Sequence, residues 1–316
     1  MNPLRNYATI TILLSLCNNA LAEGAGIEWE ILYQESEKLL VSGQYEKGVL
    51  VAQKALEIAE QKTAPDHPDV LSSLRVLARN YVGHNQLELA EPLYKRSLAI
   101  REKSLGPDHL DVAICVHDLG LLHEIQGKPA EAEQLFKRSL AIREKALGPD
   151  HPDVATDLHG LGVFYVIRLG RPDLAEDPYR RALTIWEKAF GPEHPDVATC
   201  LHDLARLYDK QGKHALAEPL YRRSLTIREK VFGPEHPDVG ECLCDLGKNY
   251  EKQGKPELAE PLYIRSLAIK EKAFGPDHLD VYGSLIELAV FYTLHNKPEL
   301  AEKLFERTQR IELRKP

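Results

Sequence analysis

Apolar residues recur along most of this chain at spacings of three and four, in blocks separated by short polar turns, the signature of amphipathic helices. In one block Val197, Leu201, Leu204, Ala205 and Tyr208 share a face. The next block, "LAEPLYRRSLTIREKVF", places Ala217, Leu220, Tyr221, Leu225 and Ile227 on another. Between them "QGK" holds Gly212, whose freedom at positive φ lets a helix end and the chain reverse. The equivalent turn position elsewhere reads Gly43, Asn85, Gly127, Gly170, Gly254 and Asn296, and only these two residue types tolerate that conformation well. Pro219 falls in the first turn of its helix, where a missing N–H costs little. Gly233-Pro234 stops that helix, and Pro237-Asp238 begins the next with a carboxylate near the positive end of its dipole.

The blocks are copies of one unit. "APDHPDV" begins at Ala64, "GPDHLDV" at Gly106, "GPDHPDV" at Gly148, "GPEHPDV" at Gly191 and Gly233, and "GPDHLDV" at Gly275. Their histidines, His67, His109, His151, His194, His236 and His278, are 42 residues apart with one step of 43. A period of this length predicts a solenoid of stacked helix pairs, with repeats beginning near residues 27, 68, 110, 152, 195, 237 and 279. It also decides how "GPEHPDVATCLHDL" is read. His194 and His202 stand among Glu193, Asp196, Asp203 and Cys200, a set that suggests metal binding or acid–base chemistry. A catalytic constellation should occur once, whereas the His194 block occurs six times and is expected to be the turn between repeats. Leu110 and Leu279 replace its second proline without breaking the period. The fourth repeat carries one extra residue between Tyr165 and Gly170, then Asp177-Pro178 and Trp186 where its neighbours differ. A longer turn and a local change of twist are expected there.

The consensus Leu-x-x-Leu-Ala/Gly-x-x-Tyr, a Gly, then Ala-Glu-Pro-Leu-Tyr-x-Arg-Ser-Leu-x-Ile-x-Glu-Lys resembles the tetratricopeptide repeat. The likeness is strongest to the 42-residue variant of kinesin light chains and many bacterial proteins, here of an exported type, and it covers residues 27–313. It implies an all-α fold, a right-handed superhelical solenoid of about seven antiparallel helix pairs. "WEILYQESEKLLVSGQYEKGVLVAQKALEIAEQ" and "VYGSLIELAVFYTLHNKPELAEKLFERTQRIEL" are atypical terminal copies, and the charged stretch from Arg307 to Lys315 suits an exposed end.

The resemblance also implies a concave groove lined by the first helix of each pair. The His202 position reads Arg75, His117, His159, His202 and Cys244, followed by Ile286. Four residues on, sharing that face, stand Arg79, Leu121, Val163, Arg206 and Lys248, followed by Val290. Kinesin light chains commonly carry Asn-Asn where this chain has His202-Asp203, so their backbone clamp on a bound peptide does not carry over. The two rows are basic at Arg75 and Arg79, His and aliphatic in the middle, and basic again at Arg206 and Lys248. They predict a protein or peptide partner with an apolar middle and acidic ends. Solvated residues on an unused face are the alternative.

Composition narrows this further. Of 316 residues, 43% are hydrophobic and 28% charged, enough apolar surface for a substantial core. Lys+Arg number 40 against Asp+Glu 48, with no basic block that would suggest nucleic acid. Arg5, the apolar run "ATITILLSL" and Ala20-Leu21-Ala22 read as a cleavable signal peptide over residues 1–22, too short to span a bilayer. The mature chain is therefore expected to be exported, periplasmic or secreted, with no membrane span. Leu16 before Cys17 argues against lipidation.

Cys115, Cys200 and Cys242 occupy equivalent positions. Packed helices lie about 8–10 Å apart, beyond the roughly 7 Å limit for a disulfide. Free, buried thiols are expected. No phosphate loop, nucleophile elbow or zinc-protease helix is present, so neither an enzyme nor a cofactor is expected. Two binding classes remain, a peptide- or protein-binding scaffold and a metal- or pH-responsive binder built on the histidine ladder. Rungs one helix spacing apart argue against convergence of the histidines on one ion.

Overall fold

The computed structural model describes residues 25–313. The signal-peptide reading, Cys17 and the last residues of the charged tail lie outside them. Fourteen α-helices account for the described residues, with no strand among them. In chain order they are α1 (Ile27–Val41), α2 (Tyr45–Lys62), α3 (Pro68–Gly83), α4 (Leu87–Leu105), α5 (Leu110–Ile125), α6 (Pro129–Leu147) and α7 (Pro152–Ile167). There follow α8 (Glu176–Phe190), α9 (Pro195–Lys210), α10 (His214–Phe232), α11 (Pro237–Lys252), α12 (Pro256–Phe274), α13 (Leu279–Leu294) and α14 (Pro298–Glu312).

They form two compact units, one ending at Pro149 with α1–α6 and one starting at Asp150 with α7–α14. Within each unit consecutive helices pair, and the second helix of a pair packs on the first helix of the next. The core repeats with the sequence. Val70, Val112, Val154, Val197, Val239 and Val281 open the first helices with no solvent exposure, and Ala90, Ala132, Ala217 and Ala259 do the same for the second helices. A small residue at one equivalent site lets a ring approach the helix axis. A Cβ built on Gly162 would stand 2.6 Å from the Tyr179 ring.

The histidine block has a local physical role. His194 is the N-cap of α9, and its Nδ1 accepts the backbone N–H of Asp196 at 3.3 Å. His67, His109, His151, His236 and His278 cap α3, α5, α7, α11 and α13 in the same way, at 3.1–3.2 Å. An N-cap acceptor satisfies a donor that the helix itself leaves unpaired. The bond needs only the His and the following backbone, so Leu110 and Leu279 leave it unchanged. Sequence reasoning assigned the whole block to the turn between repeats, and within it the imidazole is the group that caps the following helix.

In the fourth repeat the extra residue widens the turn. Arg171 N donates to Tyr165 O, six residues back, where Lys213 donates to Tyr208 O and Lys255 to Tyr250 O, five back. A single 3-10 turn at Pro172–Leu174 then leads into a shortened α8. The two turn conformations required by positive φ are met by Gly212 at +74° and Asn296 at +55°.

Cys115, Cys200, Cys242 and Cys244 are buried free thiols. Burial pushes the Cys242 thiol up to about 12, despite the offsetting pull of Arg228 and Ser224. Cys200 and Cys242 donate S–H to the carbonyls of Tyr179 and Tyr221, packing at 3.2 and 3.5 Å against the backbone of the preceding second helix. A small side chain with a weak donor suits that close helix contact, which accounts for its recurrence.

Candidate functional site

The two rows of first-helix positions differ in accessibility. In the row of Arg75, His117, His159, His202 and Cys244, the side chains sit between neighbouring helices. His202 is 3% exposed and Cys244 9%, so neither offers a surface for direct contact. His117 lies against the Phe136 ring, and His159 between Tyr179 and Trp186 at 5.4 and 5.5 Å. Trp186 stands where the fifth repeat has Arg228, which reaches His202 Nδ1 at 3.4 Å. Four residues on, Arg79, Leu121 and Arg206 are exposed, with Val163 and Lys248 half-buried. That second row is the accessible one.

A third row explains the first, through pairing across repeats that the sequence did not show. The residue after the first-row position reads Val76 in the second repeat and then Asp118, Gly160, Asp203, Asp245 and Glu287. Adjacent residues on a helix do not face each other. Asp118 and Asp203 therefore pair with the preceding repeat, not with the histidines beside them. Asp118 takes Arg75 in a fork, Nε to Oδ2 at 2.6 Å and Nη2 to Oδ1 at 3.3 Å. Asp203 Oδ2 lies 2.8 Å from His159 Nε2, and Asp245 Oδ2 lies 3.1 Å from His202 Nε2. Where Cys244 cannot form an ion pair, Lys248 supplies the cation to Glu287 at 2.6 Å. A carboxylate one repeat and one residue after Arg75, His159 and His202 was the available signal.

These pairs set the electrostatics. Burial works against the Arg75 charge, but the bond to Asp118 and its charge outweigh it and the guanidinium is held charged more firmly. Burial also pushes the Asp245 carboxyl up. His202, Arg206 and Lys248 together prevail and hold it below the usual carboxylate range. In the second unit, Arg206 and Lys248 face Asp203, Glu241, Asp245 and Glu287, so the first-helix face there carries more carboxylates than permanent cations. Arg206 is the loosest member, with its nitrogens 3.6 Å from Asp245 and 3.9 Å from Glu241, beyond hydrogen-bond length, and its side chain half exposed. Arg79 is similar in the first unit, 3.6 Å from Glu37.

A tetratricopeptide repeat model matches residues 39–103, 86–145, 117–188, 158–230, 210–272 and 249–311. The chain belongs to the tetratricopeptide repeat family. Among solved structures it is similar to a Podosopora anserina protein of nearly identical TPR-like repeats, described as a kinesin light chain. That likeness has 26% identity and a TM-score of 0.56, and covers 64% of this chain and 94% of that one. BtubC (BKLC) from P. vanneervenii shares the fold at 22% identity and a TM-score of 0.61, over 75% of this chain and 92% of that one. A STAND protein from Pyrococcus horikoshii with a tetratricopeptide repeat sensor does so at 17% and 0.71, over 89% of this chain and 41% of that one. No curated protein matches. Membership of the tetratricopeptide repeat family supports a protein-interaction scaffold. Tetratricopeptide repeat proteins are generally scaffolds of this kind and not enzymes. No helix of the described residues is long and apolar enough to cross a membrane.

Proposed function

We propose that this tetratricopeptide repeat protein binds an extended protein segment across the first-helix faces of its repeats, in the concave groove that such arrays form. The observation that carries this reading is the accessible second row, which presents charged and apolar side chains above a buried and internally paired layer. Leu121 and Val290 are each 42% exposed, and Arg206 holds its carboxylates too loosely for hydrogen bonds. A partner with apolar residues at its middle would cover aliphatic positions of the row. Its carboxylates, towards the ends, would replace the long contacts of Arg79 or Arg206 with short ones. The acidic third row offsets part of that attraction, so geometry contributes more to such recognition than net charge.

The test is co-purification of binding partners with the full chain and its variants. Arg206→Glu should lower affinity about fivefold, roughly 1 kcal/mol, because the half-exposed contact is partly screened by water. Arg223→Glu, on the second helix α10 where Arg223 pairs with Glu187 and the Pro192 carbonyl, should leave binding unchanged. Loss of binding in Arg223→Glu with retention in Arg206→Glu would assign the partner to the second helices and overturn the reading.

A further inference from the structure

Most features of this chain recur with its period, so a group of chemical side chains that breaks the period stands out. His202 on α9 faces Glu241 and Asp245 on α11, the first helix of the next repeat. Glu241 and Asp245 are four residues apart and share one helix face. One ligand atom from each of the three lies within 4.8 Å of the others. The equivalent step one repeat earlier joins His159 to Thr199 and Asp203, and one repeat later Cys244 to Gly283 and Glu287. Between the second and third repeats the set is Arg75, Ile114 and Asp118. Only the step from the fifth repeat to the sixth combines an imidazole with two carboxylates.

A second observation is independent of the cluster's composition. His202 is 3% exposed, and its Nε2 is buried without a hydrogen-bond partner. That atom is 3.1 Å from Asp245 Oδ2, close enough for a hydrogen bond but not aligned for one. A nitrogen and an oxygen that approach closely without pointing at each other suit two ligands of a common ion. With metal–ligand bonds of about 2.0–2.2 Å, atoms at this separation subtend roughly 90–100° at the metal, an angle open to four- or five-coordinate sites.

We propose that His202, Glu241 and Asp245 form a binding site for one divalent transition-metal ion of the zinc class. One imidazole with two carboxylates favours such an ion over magnesium or calcium, which take all-oxygen sets. Three protein ligands leave a coordination position for water, on the side where the Glu241 side chain is 53% exposed. The ion replaces Arg206 as the counter-charge of this pair of carboxylates. The Arg206 side chain is half exposed and free of hydrogen bonds to either acid, so it can swing into solvent. Lys248, 3.9 Å from the other Asp245 oxygen, stays in place on Glu287. Ligation through Nε2 puts the ring proton on Nδ1, so the 3.4 Å contact from Arg228 opens while Arg228 keeps its 3.0 Å bond to the Asp238 carbonyl.

Calorimetric titration of the metal-free full chain with Zn2+, alongside Mg2+, tests the site with no partner present. Its outcome is therefore independent of whether the groove binds protein. One equivalent of Zn2+ should bind, with Mg2+ at least about a hundredfold weaker. His202→Gln and Glu241→Gln should each weaken Zn2+ by about tenfold or more. Glu241 is half exposed, so that variant keeps its fold, to be checked by circular dichroism, even if replacement of the buried His202 does not. Arg206→Gln should tighten binding severalfold by removing the competing cation. Co2+ added in place of Zn2+ should give the intense visible bands of a low-coordinate site, reduced in Glu241→Gln. The absence of saturable binding, or Zn2+ affinity unchanged by Glu241→Gln in the folded protein, would overturn the proposal.

Discussion

Replacing Asp118 by Ala should destabilise the first unit by about 2 kcal/mol. Removing one partner of a fully buried ion pair costs about 3–5 kcal/mol, mostly the penalty of leaving the other charge unpaired. Here the carboxylate is well buried, with a side chain 9% exposed, but Arg75 is 38% exposed and can turn its guanidinium to water once Asp118 is gone. That escape reduces the cost to about the lower half of the range or less. Combining Asp118→Ala with Arg75→Met, which removes the stranded charge and keeps most of the stem, should recover roughly 1 kcal/mol as a coupling energy. The assay is urea unfolding followed by tryptophan fluorescence. Trp29 and Trp186 are the only tryptophans, so in a Trp186→Phe background the signal reports Trp29 alone. Trp29 is buried in the first unit, with its indole N–H on Ser73 Oγ at 2.8 Å. Asp108→Ala serves as the comparison. It loses only a pair with Lys145 whose side chains are 53% and 67% exposed, expected to cost under about 0.5 kcal/mol. If Asp118→Ala costs no more than Asp108→Ala, the inter-repeat pair does not hold the helices together and the argument fails.

Two further outcomes follow from the same structure. His109→Ala should cost about 1 kcal/mol by removing the N-cap of α5, while His109→Asn, which keeps an acceptor, should cost a few tenths, both read from thermal melts. Glu176, Glu218 and Asp245 all have folded pKa values below their ordinary ones, each because neighbouring donors and cations outweigh burial. Depressed carboxylates stabilise the fold above their unfolded values near pH 4, and that contribution is lost as pH falls through the lower folded values. The urea midpoint of the second unit should therefore drop as pH falls below about 4, with a shallower drop in Asp245→Asn.

Much of this architecture was readable because each local signal is repeated. Helix faces, Gly and Asn turns and the helix count rest on residues that recur at fixed offsets, so an accident at one copy is corrected by the others. That Arg79, Leu121, Val163, Arg206 and Lys248 occupy equivalent positions on their helices was legible for the same reason. What was not legible lies between repeats. His202 looks like a surface histidine when only its own helix is considered, but α10 and α11 bury it. Asp245 looks like its neighbour's helper, but it faces a residue 43 positions earlier. Pairing at that separation depends on how far one repeat is rotated from the next, which hydrophobic periodicity does not encode. The His109 cap was hidden differently, since imidazole is an uncommon acceptor at that position compared with Ser, Thr, Asp or Asn.

The ion pairs that link one repeat to the next have a direction. Each runs from a first-helix position to the residue after its equivalent in the following copy, as Arg75 to Asp118, His159 to Asp203 and His202 to Asp245 do, so the two members of a pair belong to different copies in a fixed order. The second repeat, which carries Arg75 on its first helix, needs a follower with an acid at the facing position of its own first helix, as Asp118 is. The fourth repeat brings Gly160 to that position and could not take the third repeat's place without stranding Arg75. Near-identical copies are therefore not interchangeable parts. Their order is written into single residues, and a recombination event that shuffled them would keep every helix and lose the connections between them.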